Sequence, residues 1–300
     1  MGHGIALEYA IAGFQVTIND VSSDALEDAW KRIRESAHLM QQFDLIDAAS
    51  AESALSRIHA AVDLESASAS SDIVAEAMVE DLEQKSRVYH RLDKICPAHT
   101  IFASNSSSFM PSLMAEATGR ADRFLGAHYF NPPYLIPLVE VIRGKDTSDE
   151  TVELMTAILL RLGKTPVQVR REVPGFIANR IQAAVWREIL TLIQDGVATP
   201  EDIDRVMTTS LGRRWTVAGP FETTDLAGLD LKLAVLGELL PSIASSPEVP
   251  HVLREKVSRG ELGVKSGIGF RGEWSPERIA ETRARLAHAL TTIETWTQHE

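Results

Sequence analysis

The 300-residue sequence contains one cysteine, Cys96, no long apolar run and no excess of positive charge. A lone cysteine excludes a disulfide framework and is compatible with a reducing cytoplasm. No stretch approaches ~18 consecutive apolar residues, so the sequence predicts no membrane-spanning helix, and its start lacks the basic segment of a signal peptide. The 42 acidic residues against 30 basic ones, a formal net charge of −12, argue against a nucleic-acid-binding surface.

Motifs of several common site types are also missing. The nine histidines are scattered, and no His/Cys cluster has the spacing of zinc ligands, so we expect no metal site. The sequence has neither a Gly-x-Ser-x-Gly elbow nor a phosphate loop ending in Gly-Lys-Ser/Thr. These absences argue against the common serine hydrolases and P-loop NTPases.

Hydrophobic periodicity divides the chain near residue 172. The first part alternates helical and strand patterns, with helices predicted over 4–12, 23–45 and 81–94 and strands over 15–19, 73–77 and 100–104. Such alternation is typical of βαβ units and a parallel sheet. Residues 65–71 are interpreted as a loop. After Pro174-Gly175 the pattern is almost wholly helical, so we predict an α/β domain over 1–171 and an all-α domain over 172–300.

His128 and Glu140 form a candidate proton-transfer pair. They lie in apolar, strand-like flanks on either side of a proline-containing turn. An imidazole titrates near neutrality, and a carboxylate bonded to one ring nitrogen fixes its tautomer and stabilises the imidazolium. This pairing is typical of chemistry at a hydroxyl group. The residues by themselves also fit a structural core histidine and a solvated glutamate at a strand end.

The first residues are similar to the second half of a glycine-rich nucleotide loop, with Gly2 and Gly4 at a helix start. Asp20 follows at the end of the first predicted strand, where Rossmann domains carry an acid that binds the adenosine ribose. No Arg or Lys lies beside Asp20 to receive a 2′-phosphate, which favours NAD as the cofactor. Two glycines at a helix start also fit simple packing.

An ordered series of motifs resembles the L-3-hydroxyacyl-CoA dehydrogenase family over essentially the whole chain. No single motif carries the resemblance; their order does. It implies a Rossmann-type parallel-sheet domain, an all-α second domain, NAD as cofactor and a homodimer formed through the second domain. The motifs occupy residues 1–6, Asp20, 76–85, 103–108, 123–132, 138–142, 174–180, 219–222 and 265–270.

The resemblance also implies roles for individual residues. His128 corresponds to the general base and Glu140 to the carboxylate that orients it. Ser107 matches the family's substrate-contacting serine, and Asn179 matches the asparagine that helps to hold the substrate oxygen. Glu80 and Lys85 match a conformationally coupled pair near the cofactor, although a solvated ion pair at helical spacing is an alternative for them. The implied cofactor-binding residues are Met1, Gly2, Asp20, Glu80, Lys85 and Asn105.

The sequence departs from the family at its first residue. In the family a hydrophobic strand and two glycines precede the glycine that corresponds to Gly2, whereas this chain begins inside the phosphate loop. We therefore expect an N-terminally truncated form of a longer protein, without the first strand of the sheet, or a variant with impaired cofactor binding. Either case predicts weak NAD binding and a less stable first domain.

The function implied is NAD-dependent oxidation of the 3-hydroxyl of an L-3-hydroxyacyl-CoA in fatty acid metabolism, an EC 1.1.1 activity in the cytoplasm. The run from Asn131 to Pro137 looks closer to the L-gulonate dehydrogenase and lambda-crystallin branch. A dehydrogenase of a non-CoA 3-hydroxy acid such as L-gulonate is therefore the first alternative. A non-catalytic, crystallin-like protein is the second.

Overall fold

The computed structural model describes residues 1–297 of the chain. The chain splits into two compact units, Met1–Arg180 and a second unit that begins at Ile181. The boundary predicted near residue 172 from the change in periodicity lies a few residues before this division.

The first unit alternates strands with helices, as the periodicity predicts. Its strands are β1 (Val16–Asn19), β2 (Ile58–Ala61), β3 (Ile73–Glu76), β4 (Ile101–Ser104), β5 (Phe124–Tyr129), β6 (Leu138–Arg143) and β7 (Thr165–Val169). Its helices are α1 (Gly2–Ile11), α2 (Ser23–Gln42), α3 (Ala48–Ser56), α4 (Leu64–Ser68), α5 (Leu82–Ile95), α6 (Pro111–Ala115) and α7 (Asp149–Arg161).

Local signals explain most element boundaries. The Ser22 hydroxyl accepts a hydrogen bond from Ala25 N at 3.3 Å and starts α2. Gly13, at φ +92°, follows the end of α1 in a conformation that glycine tolerates best. The loop predicted over 65–71 is wrong in part, because Asp63 caps a short helix there by accepting from Ser66 N at 2.7 Å. The sequence patterns did not predict β2 and β7, which are short and partly polar; β7 also contains Pro166.

The strands form two sheets in the described part of the first unit. β1 and β2 pair in parallel, whereas a second sheet has the order β3-β4-β5-β6-β7. All neighbours in the larger sheet are parallel except β5 and β6, which are antiparallel. The mostly parallel sheet confirms the predicted fold class, and the hairpin of β5 and β6 places His128 directly opposite Glu140.

Helices cover both faces of the larger sheet. On one face, Ile5 and Tyr9 of α1 pack with Met155 of α7 against Ala103 and Leu125. On the other, Tyr89 of α5 and Met114 of α6 pack against Phe102 and Phe124. Each buried large side chain stabilises the fold by about 1.5–3 kcal/mol. Because side chains alternate along a strand, His128 points to the same face as Phe124.

The second unit is helical, as predicted, apart from a small hairpin of β8 (Ile268–Gly269) and β9 (Gly272–Glu273). Among its described side chains the buried residues are Leu190, Gly269, Ala287 and Thr291. None of the described helices is both long enough and apolar enough to cross a membrane. The helices are α8 (Ala178–Gln194), which begins in the first unit, α9 (Pro200–Val206), α10 (Gly212–Trp215), α11 (Pro220–Ala227), α12 (Leu229–Leu239), α13 (His251–Ser258) and α14 (Pro276–Thr297).

Candidate active site

His128 and Glu140 form a buried hydrogen-bonded pair. Nδ1 of His128 lies 2.9 Å from Oε2 of Glu140, and the two residues are 6% and 1% exposed. The rings of Phe130 and Phe176 flank the imidazole, with centroids 4.7 and 5.5 Å from its own. The pair that the sequence suggested is thus formed by direct cross-strand pairing between β5 and β6.

The carboxylate of Glu140 makes three contacts that keep it ionised. Burial opposes its charge, but the hydrogen bonds from His128 and from the N–H groups of Ala178 and Ile177 outweigh burial and lower the pKa of Glu140. Both amides donate to Oε1, at 2.9 and 3.0 Å. An ionised carboxylate can only accept, so Nδ1 of His128 must carry the proton and Nε2 of the neutral ring carries the lone pair. Nε2 is therefore the atom that can accept a proton.

The same carboxylate anchors the start of α8. Ile177 and Ala178 present the free amides of the helix N-terminus to Glu140, where the helix dipole favours a negative charge. The preceding turn contains Gly175 at φ +77° and Phe176 at φ +52°, an uncommon conformation for a bulky residue. Phe176 is 1% exposed, so burial of its ring beside His128 holds this turn. Asn179, in the first turn of α8, directly follows Ala178, whose amide donates to Glu140. This hydrogen bond fixes the position of Asn179 relative to Glu140.

Ser107 lies on the loop between β4 and α6. The backbone N–H of Asn105 donates to the backbone carbonyl of Glu76 at 2.8 Å. The side-chain Oδ1 of Asn105 accepts from the backbone N–H of Tyr129, next to His128, at 2.8 Å. Ser107 itself is exposed, and its hydroxyl has no hydrogen-bond partner in the part of the chain that the structure describes. The carboxyl ends of parallel β3, β4 and β5 therefore bring the Ser107 loop and His128 to one edge of the sheet. No direct hydrogen bond joins His128 to Ser107 or Asn179 in the described residues.

Lys85 and Glu80 are part of a network of charged groups that the sequence did not predict in full: Lys85 and Glu76 are buried, whereas Glu80 is exposed. Lys85 is 1% exposed, and its Nζ lies 2.6 Å from Oε1 of Glu76 and 3.3 Å from Oε2 of Glu80. The alternative of a solvated ion pair is therefore wrong for Lys85, whereas Glu80 is exposed to solvent. Glu76, 6% exposed, also accepts from Tyr89 and Ser104. In the sequence, the feature that marks Glu76 is a carboxylate at the end of an apolar strand.

Of the residues predicted to bind the nucleotide, Met1 and Gly2 lie at the start of α1, and Asp20 lies directly after β1. Asp20 follows β1, is exposed and accepts only the Ser22 amide, at 3.3 Å, among described groups. Gly2 opens α1, and a Cβ added to it would lie 3.7 Å from Ala77 Cβ, so this helix end lies beside the loop after β3. Met1 packs against the core, and its carbonyl accepts from Gly4 and Ile5. The amides of Gly2 and His3 at the start of α1 remain available to an anion, and the Asp20 carboxylate to a hydroxyl.

Among the described residues, no group of three or more His, Cys, Asp or Glu side chains could hold a metal ion. A second buried ion pair joins Lys164 to Glu8 of α1, and the lysine also donates to Pro133 O at 2.7 Å. It fixes the proline turn between β5 and β6 against α1. This pair was not predicted, since its partners are far apart in the sequence.

Comparisons with known proteins cover nearly the whole chain. Residues 1–173 match the family model "3-hydroxyacyl-CoA dehydrogenase, NAD binding domain", and residues 175–272 match "3-hydroxyacyl-CoA dehydrogenase, C-terminal domain". A probable 3-hydroxybutyryl-CoA dehydrogenase of Bacillus subtilis is 39% identical over 90% of this chain and 93% of the relative. The human lambda-crystallin homolog is 32% identical over 95% and 94% of the two chains.

A solved structure matches the fold closely. The crystal structure of 5-formyl-3-hydroxy-2-methylpyridine 4-carboxylic acid 5-dehydrogenase, described as an NAD+-dependent dismutase, superposes with a TM-score of 0.91. It is 30% identical in sequence, and the match covers 98% of this chain and 94% of the other. The likeness therefore extends through both units.

Proposed function

The chain belongs to the 3-hydroxyacyl-CoA dehydrogenase family, and on that premise we propose that it oxidises the 3-hydroxyl of an L-3-hydroxyacyl-CoA with NAD, and reduces the 3-oxo compound in reverse. The observation that carries the proposal is the buried His128–Glu140 pair, whose geometry leaves Nε2 of His128 as a base. The roles of individual residues below are parts of the same proposal.

His128 acts as the general base. Its Nε2 takes the proton of the C3 hydroxyl. A bound NAD would supply the acceptor for the hydride of C3. Glu140 stabilises the resulting imidazolium through the 2.9 Å contact and keeps the ring in the required tautomer. In reverse, the imidazolium returns its proton to the alkoxide oxygen.

Ser107 and Asn179 hold the substrate oxygen. Both side chains can donate a hydrogen bond, and donors aimed at an oxygen that gains negative charge stabilise the transition state. The Ser107 hydroxyl is exposed and uncommitted among the described residues, and Asn179 sits in the helix turn that Glu140 anchors. Together with His128 they would enclose the reacting carbon.

NAD would be held by the start of α1 and by Asp20. The free first-turn amides near Gly2 suit the pyrophosphate, Asp20 suits the adenosine ribose, and Met1 and Asn105 border the same edge. We assign Glu80 and Lys85 a supporting role on the cofactor side of the site. Protein groups enclose the Lys85 amine, and Glu80 accepts a hydrogen bond from Ser108 N in the Ser107 loop. We assign the NAD-binding role to residues 1–171 and the substrate and dimerisation role to 172–300.

The test follows NADH production with 3-hydroxybutyryl-CoA. The wild type should show turnover, and His128→Gln should abolish it while NADH binding, followed by fluorescence titration, changes little. The matched control is His90→Gln, a histidine of α5 that is exposed to solvent. Undiminished turnover by His128→Gln would refute the assigned base, and inactivity of a folded wild type towards every substrate would favour the non-catalytic, crystallin-like alternative.

A non-CoA hydroxy acid is the second candidate substrate. In sequence, a 5-formyl-3-hydroxy-2-methylpyridine 4-carboxylate 5-dehydrogenase matches 98% of the chain, against 90% for the 3-hydroxybutyryl-CoA relative, so its likeness covers more of the chain. The same assay with L-gulonate, carnitine and that pyridine compound in place of the thioester discriminates between the two. A kcat/KM for a non-CoA compound far above that for 3-hydroxybutyryl-CoA would overturn the CoA assignment.

We also propose a homodimer formed through the second unit. On helices α11 and α12, Phe221, Leu226 and Leu233 are 85%, 83% and 76% exposed to solvent. Few of the described side chains of this unit are buried. Exposed apolar faces of this extent are typical of subunit interfaces. Light scattering should give twice the mass of one chain, and Leu233→Glu should lower it, whereas Leu160→Glu, at an exposed position of α7 in the first unit, should not. We expect this dimer in the cytoplasm, in keeping with the single unpaired cysteine.

A further inference from the structure

The ion pair of Glu8 and Lys164 is buried inside the first unit, apart from the His128–Glu140 pair. Glu8 lies on α1, Lys164 directly precedes β7, and each is 7% exposed. Burying a charge is unfavourable unless it is paired and hydrogen-bonded. Apolar side chains of similar volume often stabilise a fold as well as a buried ion pair does. Packing alone therefore does not account for this pair.

Lys164 joins three segments of the chain. Its ammonium group contacts Glu8 on α1 and donates to the backbone carbonyl of Pro133, in the turn between β5 and β6, at 2.7 Å. The next residue, Thr165, donates its N–H to the carbonyl of Pro137, at the other end of the same turn, at 2.9 Å. The start of β7 thus holds this turn at two points, and Lys164 also connects the turn to α1.

Helix α1 lies directly against the same turn and against the end of β5. A Cβ added to Gly4, in the first turn of α1, would lie 3.0 Å from the Pro133 ring. Further along α1, Tyr9 packs in one apolar cluster with Tyr129, the residue after His128. Protein interiors are close-packed, so such contacts leave a helix little room to shift. Apolar packing and the buried ion pair therefore both fix α1 against the end of β5.

These contacts set the spacing of the two groups that the proposed reaction must align. The amides of Gly2 and His3, at the start of α1, are free to hold the cofactor pyrophosphate. His128, near the end of β5, takes the proton of the substrate hydroxyl in the same proposal. Hydride transfer depends steeply on geometry, and a misplacement of about 1 Å can cost roughly 10²-fold in rate. The rate should therefore depend on how firmly α1 is held against the turn after β5.

We propose that Glu8 and Lys164 are positioning residues for hydride transfer: the buried pair holds α1, and with it the cofactor, at a fixed distance from His128. Neither residue needs to touch the substrate or the cofactor, since Glu8 lies about 9 Å along α1 from Gly2. The inference rests on the proposed function, in which NAD binds at the start of α1 and His128 is the base.

A charge-balanced double variant, Glu8→Gln with Lys164→Met, tests the proposal. It removes one buried charge of each sign, so neither is left unpaired, and it should keep a cooperative unfolding transition. In single turnovers with 3-hydroxybutyryl-CoA, normalised to the number of NADH-binding sites, the rate of hydride transfer should fall by about tenfold. The Kd for NADH should stay within about twofold of wild type, because the groups that contact the cofactor are unchanged. The matched control, Glu83→Gln with Arg87→Met, removes an exposed ion pair on α5 and should match wild type in both measurements.

The rate per site and the pH profile separate positioning from other effects. A merely structural defect would reduce the number of NADH-binding sites and leave the rate per site unchanged. Because α1 packs on the face of the sheet opposite to the His128 imidazole, the midpoint of the pH–rate profile should be the same as in wild type. A rate per site equal to that of wild type, or a shifted midpoint, would overturn the proposal.

Gly4→Ala provides a second variant, which leaves the ion pair intact but pushes α1 away from Pro133. It should slow hydride transfer per site by roughly threefold, and an unchanged rate would overturn the proposal even if the double variant did not fold. Its effect on the urea midpoint of unfolding tests the clamp without any substrate. In the double-variant background, where Lys164 no longer holds the Pro133 ring, the loss of midpoint should be less than about half of that in wild type.

Equal losses of midpoint in the two backgrounds would also overturn the proposal. This result would leave the proposed function intact as long as the wild type turns over and His128→Gln does not. Failure of the proposed function would instead appear as inactivity of the folded wild type towards every substrate. The two failures are therefore distinguishable.

Discussion

Replacing Glu140 by glutamine should separate the two roles of this carboxylate. Oε1 of a glutamine at this position can still accept from the amides of Ile177 and Ala178, as the glutamate does at 3.0 and 2.9 Å. The side-chain NH2 would instead face Nδ1 of His128, where the carboxylate now accepts. A donor at that place forces the histidine tautomer with its proton on Nε2, which cannot act as a base.

The expected magnitude follows from that tautomer. A wrong tautomer in a histidine–carboxylate pair reduces turnover by about 10⁴-fold in serine proteases, and we expect a loss of roughly 10³-fold in kcat here, with KM little changed. Stability should change little, because the start of α8 keeps its acceptor. Glu140→Ala should differ, since two helix amides lose their partner at about 1–3 kcal/mol each. Its Tm should fall by about 5–10 °C.

The assay compares kcat, KM and thermal unfolding for wild type, Glu140→Gln and Glu140→Ala, with Glu150→Gln as the matched control at an exposed site. Retention of more than about a third of wild-type kcat by Glu140→Gln would refute the tautomer argument. Equal destabilisation of the two variants would refute the claim that Oε1 anchors α8.

Three further predictions concern the cofactor, the packing and the pH dependence. Asp20→Ala should raise the Kd for NADH by about 10–100-fold through loss of one hydrogen bond to a charged group, as measured by fluorescence titration; an unchanged Kd would contradict the ribose assignment. Gly4→Ala should lower the unfolding free energy by about 1 kcal/mol, because its Cβ would lie 3.0 Å from the Pro133 ring and the Lys164 contact prevents that ring from receding. Gly237→Ala in α12, with no atom within 4 Å, is its control and should be neutral or stabilising. The pKa of Glu140 is lower in the folded state than in the unfolded chain. The ionised carboxylate therefore stabilises the fold at pH values above its ordinary pKa of ~4.3, and this stabilisation is lost as the pH falls through the lowered pKa. In denaturant titrations the stability gap between wild type and Glu140→Ala should therefore shrink on acidification from about pH 5 to pH 3, and a gap that widens there would contradict the sign.

Contacts within one hairpin could be predicted from the sequence. His128 and Glu140 lie in apolar runs on either side of a short proline-containing turn. Such runs pair as antiparallel neighbours independently of the order of the other strands. The alternation of helices and strands up to residue 172 has the same local origin, because periodicity and caps such as Ser22 act over a few residues. The family motifs added roles for Ser107 and Asn179, and these roles remain proposals.

Contacts between distant segments were decided by the tertiary structure. Glu140 meets the amides of Ile177 and Ala178 only because the first half of β6 lies beside the turn that starts α8, and Glu76 meets Ser104 only because β3 and β4 are neighbours in the sheet. Strand order and helix placement result from burial of whole faces, to which one polar residue contributes little. The pairing of His128 with Glu140 could therefore be predicted from the sequence, whereas the contacts of Glu140 with the start of α8, and those of Glu80 with the residues on either side of Ser107, depend on how the elements pack.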